Sequence, residues 1–206
     1  MIGILKKRAD FELFKSIVVL MDQKKHLNLE GIIKILSIRA SMNIGLSREL
    51  KVVFPNITPV PRPLVELPEN IDPNWLAGFT TAEGCFFVDI KKSLSHKSGV
   101  QISLLFQIVQ HSRDTLLFNL IQKYLGYGKI YTEKNIVKFI VTRFLDLDLK
   151  IIPLFEKYPI QGVKSLDYVD FCKVAALMKE NCHKTKEGLE QIRDIKSGMN
   201  TKRNYG

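Results

Sequence analysis

One carboxylate in this chain stands in a setting that gives its chemistry a place to act. Glu83 ends the segment Trp75-Leu76-Ala77-Gly78-Phe79-Thr80-Thr81-Ala82 and is followed by Gly84. A carboxylate brings a pair of acceptor oxygens. Asp72-Pro73 opens the segment as a helix start, because proline is pre-set for a first helical turn. Ala77, Gly78 and Ala82 are small and spaced for one helix face, and small residues let two backbones approach closely. After Gly84, Phe86, Val88 and Ile90 alternate with Phe87, Asp89 and Lys91. That period of two predicts a strand. The acid is therefore expected at a helix end near the base of a sheet, not on a mobile loop.

The strands supply a second group of candidates. Ile102, Leu104, Phe106 and Ile108 alternate with Gln101, Ser103, Leu105 and Gln107, and Val137, Phe139 and Val141 with Lys138, Ile140 and Thr142. One face packs and the other meets solvent or a ligand. The solvent-facing set is Lys91, Gln101, Ser103, Gln107, Lys138 and Thr142, with Lys129 and Tyr131 on a shorter strand. The loop containing Lys92, Ser93, Ser95 and Lys97 joins the first two strands and is basic and polar, suited to phosphate and base-edge contacts.

Charge agrees with this placement. The chain has 206 residues and a formal net charge of +10. Residues 85–143 hold nine Lys/Arg against three Asp/Glu, a net +6 in 59 residues. Basic excess gathered in one region points to a polyanion partner. The three cysteines show no C-x-x-C spacing, which fits structural thiols in a reducing compartment, and the four scattered histidines lack zinc-site spacing. Nothing approaches the ~20 apolar residues of a membrane helix, and the first residues lack the order of parts of a cleavable targeting signal.

The positioning elements follow from an internal repeat. A shift of 157 residues brings the N-terminus onto the C-terminus without a gap: Lys7 meets Lys164, Asp10 meets Asp167, Phe14 meets Phe171, His26 meets His183, Gly31 meets Gly188, and Asn43 meets Asn200. In all, 12 of 37 positions are identical. Each copy predicts two helices, the first with Ser165 as N-cap and Asp167 in its first turn, the second starting near Thr185 in one copy and Asn28 in the other. Six of the eight prolines fall in residues 55–73, a stretch expected to be an extended linker. The expected organisation is a helical tail over 1–54, a linker over 55–71 and a complete domain over 72–206. By the offset, the first copy is expected to have had roughly 90 residues before Lys7, its own helix and sheet. The domain's order of helix, two strands, helix, two strands and helices is an α+β sandwich with helices on one face of a four-stranded sheet.

Leu76-Ala77-Gly78-Phe79-Thr80-Thr81-Ala82-Glu83-Gly84, followed by a strand and set in a duplicated chain, resembles the nine-residue motif of the LAGLIDADG homing endonucleases, in the double-motif form encoded in organellar introns. The resemblance implies an αββαββα fold whose antiparallel sheet forms a saddle in the DNA major groove. It implies that Glu83, with Gly84, holds a divalent metal, Mg2+ or Mn2+, at a scissile phosphate. It also implies that Gln107 and Lys138 serve the active-site side, and that Leu76, Ala77, Gly78, Thr80 and Thr81 face a second motif helix. Thr81 stands where the motif usually has Asp. The partners implied are double-stranded DNA and a second LAGLIDADG half, from a separate chain or a homodimer; the localisation implied is mitochondrial. Two other readings compete with a DNA endonuclease: an intron maturase that binds RNA, and a truncated remnant without activity.

Overall fold

The computed structural model describes residues 3–64, 66, 68–94 and 99–203. By contacts the chain divides into two compact units, Met1–Pro68 and Glu69–Gly206.

The first unit holds helices α1 (Gly3–Asp22), α2 (Leu29–Ala40) and α3 (Arg48–Val53). Asn28 caps α2 by accepting from the Gly31 amide at 2.8 Å. Gly31 is required by space: a Cβ there would lie 1.8 Å from the Lys25 carbonyl oxygen. Asp10 of α1 is nearly buried; it accepts from the Asn43 amide at 3.2 Å and pairs with Arg62 at 2.7 Å. The proline-rich segment is docked along part of its length. Val60 donates to the Ser37 carbonyl and accepts from the Ser41 hydroxyl, and Arg62 donates to the Ser41 carbonyl. Pro59, a residue without an N–H, is flanked here by a bonded neighbour at 60.

The second unit begins with α4 (Pro73–Glu83), capped by Asp72, which accepts from the Trp75 amide at 2.9 Å. Strand β1 (Gly84–Lys92) follows directly, then β2 (Val100–His111), α5 (Thr115–Leu125), β3 (Lys129–Glu133) and β4 (Ile136–Val141). Gly126, at φ 75°, takes the left-handed conformation that ends α5. The sheet is antiparallel in the order β1-β2-β4-β3. A short helix α6 (Phe144–Asp146), a wide turn at Leu147–Ile151 and α7 (Ile152–Lys157) lead to the tail helices α8 (Lys164–Lys179) and α9 (Lys186–Ser197).

One face of the sheet makes the core. Phe86, Phe106, Ile108, Phe139 and Val137 are buried, with Phe155 and Phe171 brought onto them by α7 and α8. Phe86 touches four rings, those of Phe106, Phe155, Tyr168 and Phe171, at centroid distances of 5.2 to 5.8 Å. Each buried ring contributes roughly 1.5–3 kcal/mol of transfer energy, and the offset and edge geometries add to it. Burial drives the Tyr168 phenol well above its ordinary range, and its hydroxyl is satisfied by donating to the Ile152 carbonyl at 2.8 Å.

The two tails are built alike. Thr185 caps α9 on the Gly188 amide as Asn28 caps α2, and a Cβ on Gly188 would meet the Cys182 carbonyl at 2.0 Å. Asp167 is buried, accepts from the Asn200 amide at 2.9 Å and pairs with Arg203, as Asp10 does with Asn43 and Arg62. One local expectation is corrected here. Ser165 is not an N-cap: it lies inside α8 and its hydroxyl donates to the Gly162 carbonyl. Asp167 does stand in the first turn of α8, as expected, and it also holds the tail. α3 had no signal in the repeat, since it lies beyond the last matched position.

Candidate active site and nucleic-acid face

Glu83 is the last residue of α4, so the helix axis delivers its carboxylate to the start of β1. It is half-exposed and makes no ion pair or side-chain hydrogen bond among the described residues. The switch from helix to strand needs Gly84. A Cβ there would lie 2.5 Å from both the carbonyl oxygen and Cγ2 of Thr80, and Gly84 itself is buried. Thr81 ties the helix end down. Its hydroxyl donates to the Ala77 carbonyl at 2.9 Å and accepts from the Gln161 amide at 3.2 Å, joining α4 to the turn that enters α8.

The residues expected to face a second helix divide into two sets. Leu76, Ala77 and Thr80 are buried, and α4 packs on β1 and β2. They belong to the inner side of α4, a correction to the assignment of that whole run to one interface. Leu76 and Thr80 fall four apart, the spacing of one helix face, and the same face buries against the sheet. The open side carries Asn74, Gly78 and Ala82, again at fours, and a Cβ on Gly78 would meet nothing within 4 Å. Ala82, left out of the expected interface, is exposed on this open side.

The outward sheet face is ordered by register. Lys91 pairs with Gln101, Asp89 with Ser103, Phe87 with Leu105, and Cys85 with Gln107. Gln107 pairs in turn with Ile140, and Ile140 with Lys129; Val109 pairs with Lys138, and Lys138 with Tyr131. Gln107 thus lies one strand, ~5 Å, from the residue two after Glu83. Lys138 lies two strands away, roughly 10 Å, and pairs with Glu133 at 3.8 Å. By register Gln107 lies across from Cys85, and Lys138 is its diagonal neighbour on β4, two strands from β1. Lys129, Tyr131 and Thr142 are exposed, Thr142 just past the end of β4. Lys92 has the parity of the core face but sits at the end of β1, where it is exposed. Ser93 closes the loop by donating its amide to the Gly99 carbonyl; Ser95 and Lys97 lie outside the described residues.

Lys164 is a neighbour the strand pattern does not reveal. It is the first residue of α8, three beyond Gln161, and its charge acts on the Cys85 thiol. Burial pushes that thiol up, and the Lys164 ammonium pulls the other way. The Gln161–Thr81 hydrogen bond brings the turn before Lys164 to the end of α4. The sequence did carry a signal, because Lys7 meets Lys164 in the repeat.

No group of three or more His, Cys, Asp or Glu side chains comes together as a metal cage among the described residues. A single carboxylate beside basic groups is the donor set of a hard cation that completes its shell with phosphate and water.

The model of the LAGLIDADG endonuclease family matches residues 76–175. The crystal structure of the I-SmaMI LAGLIDADG homing endonuclease bound to cleaved DNA is 45% identical, with a TM-score of 0.85, over 98% of this chain and 68% of that one. This chain belongs to the LAGLIDADG homing endonuclease family. A second I-SmaMI structure, bound to uncleaved DNA target in the presence of calcium ions, is 45% identical with a TM-score of 0.82, over 95% of this chain and 67% of that one. Among curated proteins, a probable intron-encoded endonuclease 3 of Neurospora crassa is 42% identical over 193 residues, 92% of this chain and 36% of that one. The chain spans about a third of the length of that relative. For a LAGLIDADG chain the αββαββ order and the four-stranded antiparallel sheet are as expected, and among the described residues no helix is long and apolar enough to cross a membrane.

Proposed function

We propose that this chain forms one half of a site-specific, divalent-metal-dependent DNA endonuclease of the homing type, with Glu83 as its metal-holding acid. The observation that carries this reading is an uncommitted carboxylate at the end of α4, with Gln107 across the sheet from Cys85, two residues on. Glu83, with the Gly84 carbonyl, would hold Mg2+ or Mn2+. A bound ion of this kind neutralises phosphate charge and lowers the pKa of its water. Gln107 offers an amide to orient water or a phosphate oxygen, and Lys164 a positive charge for a non-bridging oxygen. Lys91, Gln101, Ser103, Lys129, Tyr131, Lys138 and Thr142 would lie along the major groove, with Gln and Lys reading base edges and the loop at 92–99 touching the backbone.

Cutting both strands takes a second acid. The open stripe of Asn74, Gly78 and Ala82 fits a second motif helix at close approach, whether from a longer chain, a separate one or another copy. The intron-encoded relatives support an organellar, mitochondrial setting.

Incubation with long DNA, with Mg2+ and with EDTA, tests the reading. Expected are metal-dependent breaks in an assembly holding two motif helices, abolished by Glu83→Gln while DNA binding persists. Glu83→Gln with undiminished cleavage, or no metal-dependent cleavage in any assembly state, overturns it. Selective binding of structured RNA in place of duplex DNA favours the maturase reading.

A further inference from the structure

Helix α9 is polarised in a way the fold does not require. At 100° per residue, Lys186, Arg193 and Lys196 fall within about 80° of one another, and Glu187, Glu190 and Asp194 cluster on the adjoining outward arc. Leu189 and Ile192 are buried between the helix and the domain. A contact fixes the direction of the basic flank. The Lys196 ammonium lies 5.4 Å from the centroid of the Phe87 ring. Phe87 is on the outward face of β1, the first strand of the sheet order and so an edge. Phe87, Val88, Lys196, Met199, Asn200 and Thr201 line a small cavity of about 80 Å³ at that edge.

Lys196 makes no ion pair among the described residues, whereas Lys91 on the neighbouring strand is held by Asp89 at 2.8 Å and Lys138 by Glu133. Its other contact, the Phe87 ring, leaves the ammonium's hydrogen-bonding capacity free. The repeat shows that the polarity is not a folding need. The positions matching Lys186 and Arg193 in α2 are Leu29 and Leu36, and only Arg39 matches Lys196 in charge.

We infer that the flank of α9 formed by Lys186, Arg193 and Lys196 is a phosphate-binding rail beside the sheet, gripping the DNA backbone outside the groove that the strands read. Lys186 and Lys196 are ten residues apart, ~15 Å along the helix. Phosphates on one strand advance ~3.4 Å per step along the duplex, so the rail spans about four steps. The grip adds affinity and register without sequence information. The inference rests on the DNA reading given above, and it assigns α9 a part in it.

The test is the salt dependence of duplex binding by the full chain. Lys186→Gln, Arg193→Gln and Lys196→Met are combined, the methionine retaining the hydrocarbon stem over Phe87. Each lost phosphate contact lowers the slope of log affinity against log salt by ~0.9, so the triple variant is expected to lose about two to three from the slope. Its ranking of DNA sequences and its melting temperature stay as in the unaltered chain. The charge-preserving set Lys186→Arg, Arg193→Lys and Lys196→Arg is expected to restore the slope. An unchanged slope in the triple variant, with the unaltered chain binding in a salt-dependent way, overturns the rail alone. Salt-independent or absent duplex binding by the unaltered chain overturns the DNA reading and the rail together.

Discussion

The hydroxyl of Thr81 accepts a hydrogen bond from the backbone amide of Gln161, 80 positions away in the chain, at 3.2 Å. The position that usually carries Asp in the motif therefore does positional work in this chain. It anchors the end of α4 to the turn that leads to Lys164. Thr81→Val removes the acceptor and should cost about 0.5–1.5 kcal/mol in urea unfolding. Thr81→Asp keeps an acceptor and should hold stability within ~0.5 kcal/mol. Equal losses in both variants would mean that the bond to Gln161 does not matter.

Gly84→Ala should be among the most damaging single-methyl changes in the second unit. The new Cβ would press on the Thr80 carbonyl and side chain at 2.5 Å. Overpacking of this kind costs about 1–3 kcal/mol. The displacement falls on the residue that follows Glu83, so cleavage should suffer more than the melting temperature does. Thermal unfolding and cleavage of the same preparation separate the two effects.

Phe171 and Phe14 offer a paired test of the repeat. Phe171 is fully buried against Phe86, while its counterpart Phe14 is 51% exposed. Phe171→Ala should cost about 3–5 kcal/mol. Phe14→Ala in this chain should fall within ~0.5 kcal/mol of neutral. The Phe14 cost should rise if a sheet is supplied to α1 from a longer chain or a partner, which denaturant titration of both forms would reveal.

Acid should loosen the C-terminal tail. Burial works against ionisation of Asp170, but hydrogen bonds from Arg203 and Lys173 outweigh it and hold the carboxyl below the usual aspartate range. A folded pKa below the unfolded one gives stability that is present above the unfolded value, near 4, and is lost as pH falls through the folded one. Chemical unfolding between pH 5 and about 2 should show that loss, and Arg203→Gln should flatten it. A slope that is unchanged in Arg203→Gln would remove Asp170 from the account.

Much of this was legible in the sequence because the patterns were local. The helix start at Asp72-Pro73 and the alternation through Phe106 and Phe139 each rest on a few adjacent residues. What escaped depended on contacts between distant positions. Which side of α4 faces inward is decided by packing on β1 and β2, so Ala77 and Ala82, both small, could not be told apart by type. Lys138 has the outward parity expected of it, yet strand order places it two strands from the helix end. The turn before Lys164 comes to the end of α4 only because the Gln161 amide bonds back to Thr81. Asp167 stands in the first turn of its helix as expected, but its bonds to Asn200 and Arg203 were not legible from that helix alone.

The two buried aspartates that match in the repeat, Asp10 and Asp167, obtain their arginines by different routes. Arg203 lies three residues beyond Asn200, whereas Arg62 arrives from the proline-rich stretch, 19 residues beyond Asn43. Comparing the halves letter by letter would score the guanidinium of Arg203 as missing from the first half, where Leu46 stands, although Asp10 has its counter-ion. After a gene segment doubles, the demand for neutralisation is inherited with the acid, while the donor is free to be recruited from wherever the backbone passes. Divergence between such halves is therefore better followed through which charges are answered than through which columns match.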